Sequence, residues 1–199
     1  MALFGLNNQL LQIDTGNVQT YLYNASLSPV SIYAGLGENQ ILGQRYAQSI
    51  TSPTNPSGAP AVYMLVKYSS VANPAPLTAP APVYWIDETY TAVSGVSTES
   101  LLGLNGVAGY LMLNTTALTT LTNTILNGSL CLIQVAGFLK GAIAPGGTPG
   151  VGNSIIGAAT NFASAGIAAG TAATYRTLGI QATAVASGVC DVLVNCDIL

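Results

Sequence analysis

Histidine is absent and charge is scarce. Without histidine, neither a Ser-His-Asp nor a Cys-His arrangement can be built within the chain. Only 6% of the 199 residues are charged, where a soluble domain carries about 25%. The four Lys and Arg residues cannot neutralise a phosphate track, and the net charge is -3, so nucleic acid is not an expected partner. Cysteine is rare too. Cys131, Cys190 and Cys196 are an odd set with no metal-site spacing, so neither a closed disulfide framework nor a metal site is expected. They read as buried free thiols, with a Cys190–Cys196 bridge left open.

Long uninterrupted apolar runs are also missing. No charge occurs between Lys140 and Arg176, but Pro145, Gly146, Gly147, Pro149, Asn153 and Asn161 break that window. A spanning helix needs about 20 apolar residues in a row, and these residues suit turns instead. No membrane partner is expected. Met1-Ala2-Leu3-Phe4-Gly5-Leu6-Asn7-Asn8 lacks a positive region and a long apolar core, and does not read as a signal peptide.

What the chain does have is apolar, small and hydroxyl-bearing residues. Half of it is hydrophobic, with 22 Gly, 10 Pro and 10 Tyr. So few charges cannot keep a bare apolar surface soluble. Much of the surface must therefore be rich in hydroxyls and amides, or covered by partners. Tyrosine suits such contacts, because it buries a large ring and keeps a polar tip. Tyr84, Trp85, Tyr90 and Tyr110 are the candidate interface residues.

Short runs of strand length recur between turn signals. Ala61 to Tyr68 alternates, with Val62, Met64, Val66 and Tyr68 on one face. Val83 to Val93 reads as one strand, rich in aromatic, Thr and β-branched residues. Val107 to Leu113 follows the Asn105-Gly106 turn. The C-terminal module, 130–199, holds four runs: Leu130–Val135, Ser154–Thr160, Thr177–Thr183 and Val189–Val194. A strand is also expected at Val18–Tyr23, and Leu118, Leu121, Ile125 and Leu126 permit one short helix. Pro-rich stretches at Thr51–Pro60 and Asn73–Pro82 read as loops. The predicted fold is all-β, a β-sandwich or β-barrel-like module with Pro/Gly-rich loops. Residues 1–60 form a partly extended N-terminal arm and loop, and 61–199 the β-rich domain.

Candidate chemistry is thin, and no cofactor is expected. Asp87 and Glu88 are adjacent, and neighbours on a strand point to opposite faces, so they do not make an acid/base pair. Asp191 and Asp197 read as solvent-exposed. Gly146 to Gly152 looks like a phosphate loop but lacks the Gly-Lys-Ser/Thr ending, and Pro149 removes a backbone donor. It reads as a connecting loop. The Asn24, Asn114 and Asn127 glycosylation triplets read as chance matches in a chain rich in Asn, Ser and Thr. The chain is not expected to be an enzyme.

Three stretches carry a family resemblance. They are Val83-Tyr84-Trp85-Ile86-Asp87-Glu88-Thr89-Tyr90-Thr91-Ala92-Val93, Leu104-Asn105-Gly106-Val107-Ala108-Gly109-Tyr110-Leu111, and the ordered runs Leu132–Phe138, Ile156–Thr160, Leu178–Thr183 and Val192–Val194. Together they span 83–199. That region resembles the capsid decoration (cement) proteins of tailed double-stranded DNA bacteriophages. The resemblance implies a β-rich protein on the outer capsid surface of the virion, usually a homotrimer, that bridges neighbouring major capsid proteins. A tail or head fibre subunit and a bacterial surface adhesin are the alternatives.

Overall fold

A computed structural model describes residues 42–43, 45–48, 56–69, 77–112, 130–147, 149–168, 171 and 175–196. The strand expected at 18–23, the helix at 117–127, the three glycosylation triplets and most of the N-terminal arm lie outside the described residues. Eleven strands are described: β1 (Arg45–Gln48), β2 (Ala61–Tyr68), β3 (Ala81–Trp85), β4 (Ala92–Ser94), β5 (Val107–Leu111), β6 (Leu130–Ile143), β7 (Gly146–Gly147), β8 (Ser154–Gly157), β9 (Ser164–Ile167), β10 (Thr177–Gln181) and β11 (Val189–Asn195). The chain is all-β, and the only described helices are single 3-10 turns at Ser97–Glu99 and Gly103–Asn105.

Five strand pairings close on themselves. β2 lies parallel to β4, β4 pairs β3, β3 pairs β5, β5 pairs β6, and β6 returns to β2. This ring is a small barrel. β1 adds to β2 through Arg45↔Met64 to Gln48↔Ala61, so this part of the 1–60 segment is built into the sheet. From β6 an open sheet continues through β11, β10, β8, β9 and β7. β6 therefore belongs to both halves: its first part pairs β2 and β5, and its second part pairs β11. The 130–196 region shares this strand with the ring.

The long strand works because it bends. Val62 opposes Ala136 while Tyr63 opposes Gln134, which leaves Val135 as the extra residue of a β-bulge. The Val135 carbonyl is then taken by the Cys196 N–H at 2.8 Å. Gln134, wholly buried, donates its side-chain amide to the carbonyls of Phe138 (3.0 Å) and Ala136 (3.3 Å). Gly137 follows at φ 98°, and an ideal Cβ there would lie 2.7 Å from the Pro60 carbonyl oxygen. Only glycine fits that bend. A second irregularity falls between Cys190 and Val192, where the Asp191 carboxylate accepts the Gly141 N–H at 3.0 Å. Asp191 is thus a half-buried structural acceptor and not the solvent-exposed group expected from its place near the chain end.

The expected strand over 83–93 is interrupted. β3 stops at Trp85 and β4 starts at Ala92. Between them the Asp87 carboxylate accepts from Thr89 Oγ1 (2.5 Å), Thr91 Oγ1 (2.6 Å), the Thr91 N–H (3.1 Å) and the Ala92 N–H (3.1 Å). A short acidic side chain that takes its own downstream N–H groups makes a turn, and this competes successfully with the strand propensity around it. Tyr90, with φ 55°, completes the reversal.

The barrel and the open sheet share one core. β3 and β5 are buried at every residue, because one face lines the ring and the other is covered by the sheet. The 158–163 loop between β8 and β9 supplies the cover. Phe162 stacks on Tyr68, centroids 6.2 Å apart, and its N–H donates to the Gly95 carbonyl at 2.7 Å. An ideal Cβ on Gly95 would come within 2.1 Å of the Phe162 ring.

Candidate interaction surface

Three of the four aromatic residues expected at an interface lie in the core. Tyr84, Trp85 and Tyr110 are buried within the chain itself. Their rings sit on β3 and β5, the two strands covered on both faces, so no partner can reach them. The Tyr84 hydroxyl lies 3.0 Å from the carbonyls of Ala158 and Ala163, to either of which it can donate, and accepts the Ala158 N–H at 2.9 Å. It pins the β8–β9 loop to the barrel. Burial pushes its phenol up, an effect the Ala158 bond partly offsets. Burial pushes the Tyr110 phenol far above its usual range. Tyr90 is half-buried and packs edge-on to Trp85, at 5.5 Å and 86°.

The three thiols are buried and joined in no disulfide, and the Cys196 thiol donates to the Leu178 carbonyl at 3.4 Å. Burial pushes the Cys131 thiol well above its ordinary value and raises Cys190, where the Asp191 charge adds to the effect. Asp87 is pushed up by partial burial, but its hydrogen bonds to Thr89, Thr91 and Ala92 outweigh this and hold the carboxyl below its ordinary value. It is a turn-former. Of the segment expected to be a connecting loop, Gly146 and Gly147 form the short strand β7 against β9, and 149–152 leads on to β8: Gly150 N–H donates to Gln181 Oε1 at 2.9 Å, and Gly152 N–H to the Gln181 carbonyl at 2.8 Å. Among the described residues, no group of three His, Cys, Asp or Glu side chains could hold a metal ion, and no helix is long and apolar enough to cross a membrane.

The feature that stands out is the outer face of the open sheet. Ile180 on β10 opposes Leu193 on β11. Leu193 in turn opposes Phe138 on β6, Ile180 opposes Ser154 on β8, and Ser154 opposes Ile167 on β9. Directly opposed residues share a face, so these five make one row across five strands. Leu193 is 50% exposed and Ile180 44%, and the other three are half-buried. The flanking opposed sets on the same strands, Ala136 with Asn195 and Thr177 with Ile156 and Ala165, are also uncharged. The opposite face of β11 and β10 carries Cys190, Val192, Val194, Leu178 and Gln181, all buried. Both faces of these strands are thus rich in apolar residues, and one of them is partly exposed. Contiguous exposed apolar residues of this kind mark interaction sites.

A second exposed pair, Leu101 and Leu102, lies on the turn between the two 3-10 segments. The second 3-10 segment, which follows it, is tied to the entry of β10: the Arg176 N–H donates to Asn105 Oδ1 at 3.0 Å. No family model, curated protein or solved structure matches the chain.

Proposed function

We propose that this protein is a structural component of a virion, which binds the outer surface of a tailed-phage capsid and stabilises it by bridging neighbouring major capsid proteins. It acts by binding and not by catalysis, and works as a homotrimer. The reading starts from the resemblance over 83–199. The observation that supports it most directly is the uncharged row Phe138, Leu193, Ile180, Ser154 and Ile167, which exposes Leu193 and Ile180 and part of the other three on a chain with few charges.

The energetics fit small contacts used many times. A standard interface buries about 1,600 Å² in total and contributes only its surplus over the ordering cost. Copies fixed to a closed symmetric shell bind neighbouring sites at high effective concentration, so modest contacts sum to a strong one. A β-rich body tied by Phe162, Tyr84 and the bulged β6 adds little ordering cost of its own.

Two measurements test this. Light scattering gives the mass in solution, and co-sedimentation gives the copies bound to capsids assembled without this protein. A trimer that binds at a fixed copy ratio supports the reading. A monomer that stays in the supernatant contradicts it and favours a fibre or adhesin role.

A further inference from the structure

We infer that the outer face of β6, β11, β10, β8 and β9 is the surface that docks on the shell, and that its counterpart there is a flat, uncharged, apolar strip of assembled capsid protein. This rests on the shell-binding reading and names the face that does the binding.

The choice of occupant follows from area and charge. Strands lie about 4.8 Å apart and alternate residues on one face about 7 Å apart, so the uncharged row and its flanking sets cover on the order of 300 Å². One partner of a standard interface contributes about 800 Å². The face is therefore too small to hold a second free copy in solution by itself. It is large enough for one of several contacts made at once against a fixed array. Charge points the same way. Ten residues across five strands include no ionisable side chain, while Lys140 and Asp191 lie further along β6 and β11, beyond the row of Leu193. A charged counterpart would lose water without gaining a partner. A flat apolar one loses nothing. Packing on a pleated sheet face also fixes orientation, because side chains from both sides interdigitate.

The geometry also sets the dependence on salt. Contacts between exposed charges are screened within about 10 Å at 0.1 M salt. With none in the ten residues and Lys140 at its edge, capture by capsids should depend only weakly on salt.

The test uses the full chain and two double variants. Ile180→Lys with Leu193→Lys places charge in the row. Ile180→Thr with Leu193→Thr removes the apolar contact and keeps strand-favouring residues. Each is measured for mass by light scattering, for thermal midpoint, and for copies bound to capsids assembled without the protein. We expect unchanged mass, midpoints within ~4 °C of the parent, and a loss in capsid affinity of roughly tenfold or more for the lysine pair, with a smaller loss for the threonine pair. Parent-like binding by the lysine pair overturns the inference and leaves the shell reading intact. A fall in mass identifies a second copy as the occupant and overturns it as well. A midpoint that drops by more than ~8 °C in both variants shows the row to be covered by the chain's own residues, and this too overturns the inference. Failure of the parent to bind capsids at all defeats the shell reading itself.

Discussion

Asp87 holds the β3–β4 reversal through four hydrogen bonds from three residues. Asp87→Ala strips the turn of its acceptor and should cost about 1–2 kcal/mol, read as a lower urea midpoint. The pH dependence has a definite sign. The folded carboxyl sits below its ordinary value of 3.8, so its contribution is fully present above that value and is lost as pH falls through the folded one. Asp87→Asn should flatten that acid limb. A variant that loses stability below pH ~4 as steeply as the parent would contradict the assignment. Phe162 is the second test at this scale. It is buried against Tyr68 and Gly95, and Phe162→Ala should cost roughly 3–5 kcal/mol, since removing a core ring leaves a cavity as well as lost contacts. The thiols give a third. Cys131, Cys190 and Cys196 are buried, and Cys131 and Cys190 are raised above their ordinary values. A thiol reagent should therefore label the native protein hardly at all and all three sites in denaturant. Rapid labelling of the native chain would show that the core opens.

At the scale of elements, β6 is the part the others depend on. It closes the barrel against β2 and β5 and founds the open sheet against β11. Gly137→Ala puts a methyl 2.7 Å from the Pro60 carbonyl oxygen and 2.8 Å from Ala61 Cα, at φ 98°. It should destabilise the whole molecule by ~3 kcal/mol, and both halves should unfold together. Separate unfolding of barrel and sheet would contradict a shared strand. Some of this was legible beforehand. β2 shows because Val62, Tyr63, Val66 and Tyr68 favour strand and Val62, Met64, Val66 and Tyr68 fall on one face. β9 does not, because Ser164-Ala165-Gly166-Ile167 carries one β-branched residue, at its end, and owes its pairing to β8 and β7. The 83–93 break was hidden because Asp87 acts through local hydrogen bonds that outrank the aromatic and β-branched residues around it. The interface residues were misassigned for a related reason. Tyr84, Trp85 and Tyr110 are attractive contact residues by type, yet β3 and β5 are covered on both faces. The row at Leu193 and Ile180 left one trace: Val192-Leu193-Val194 is apolar at successive positions, so one of the three must face outward. Which one, and against what neighbours, depends on pairing that only the folded sheet supplies.

At the scale of the molecule, the proposed function makes the barrel the anchor and the open sheet the docking surface. Tyr84, Phe162 and the buried Gln134 lock the two together, so a load on the sheet is passed to a closed ring. A body of this kind reinforces a shell if its partly exposed face meets neighbouring subunits at once. The most direct measurement is the heat tolerance of capsids assembled without the protein, read by calorimetry or by release of packaged DNA, with and without saturating amounts of it. The account predicts that the capsid transition moves upward by several degrees as the bound copies reach a fixed ratio, since a ligand of the assembled state stabilises it by mass action. The Ile180→Lys, Leu193→Lys variant should leave the transition where it lies in the bare capsid. An unchanged transition at full occupancy by the parent protein would contradict the stabilising role.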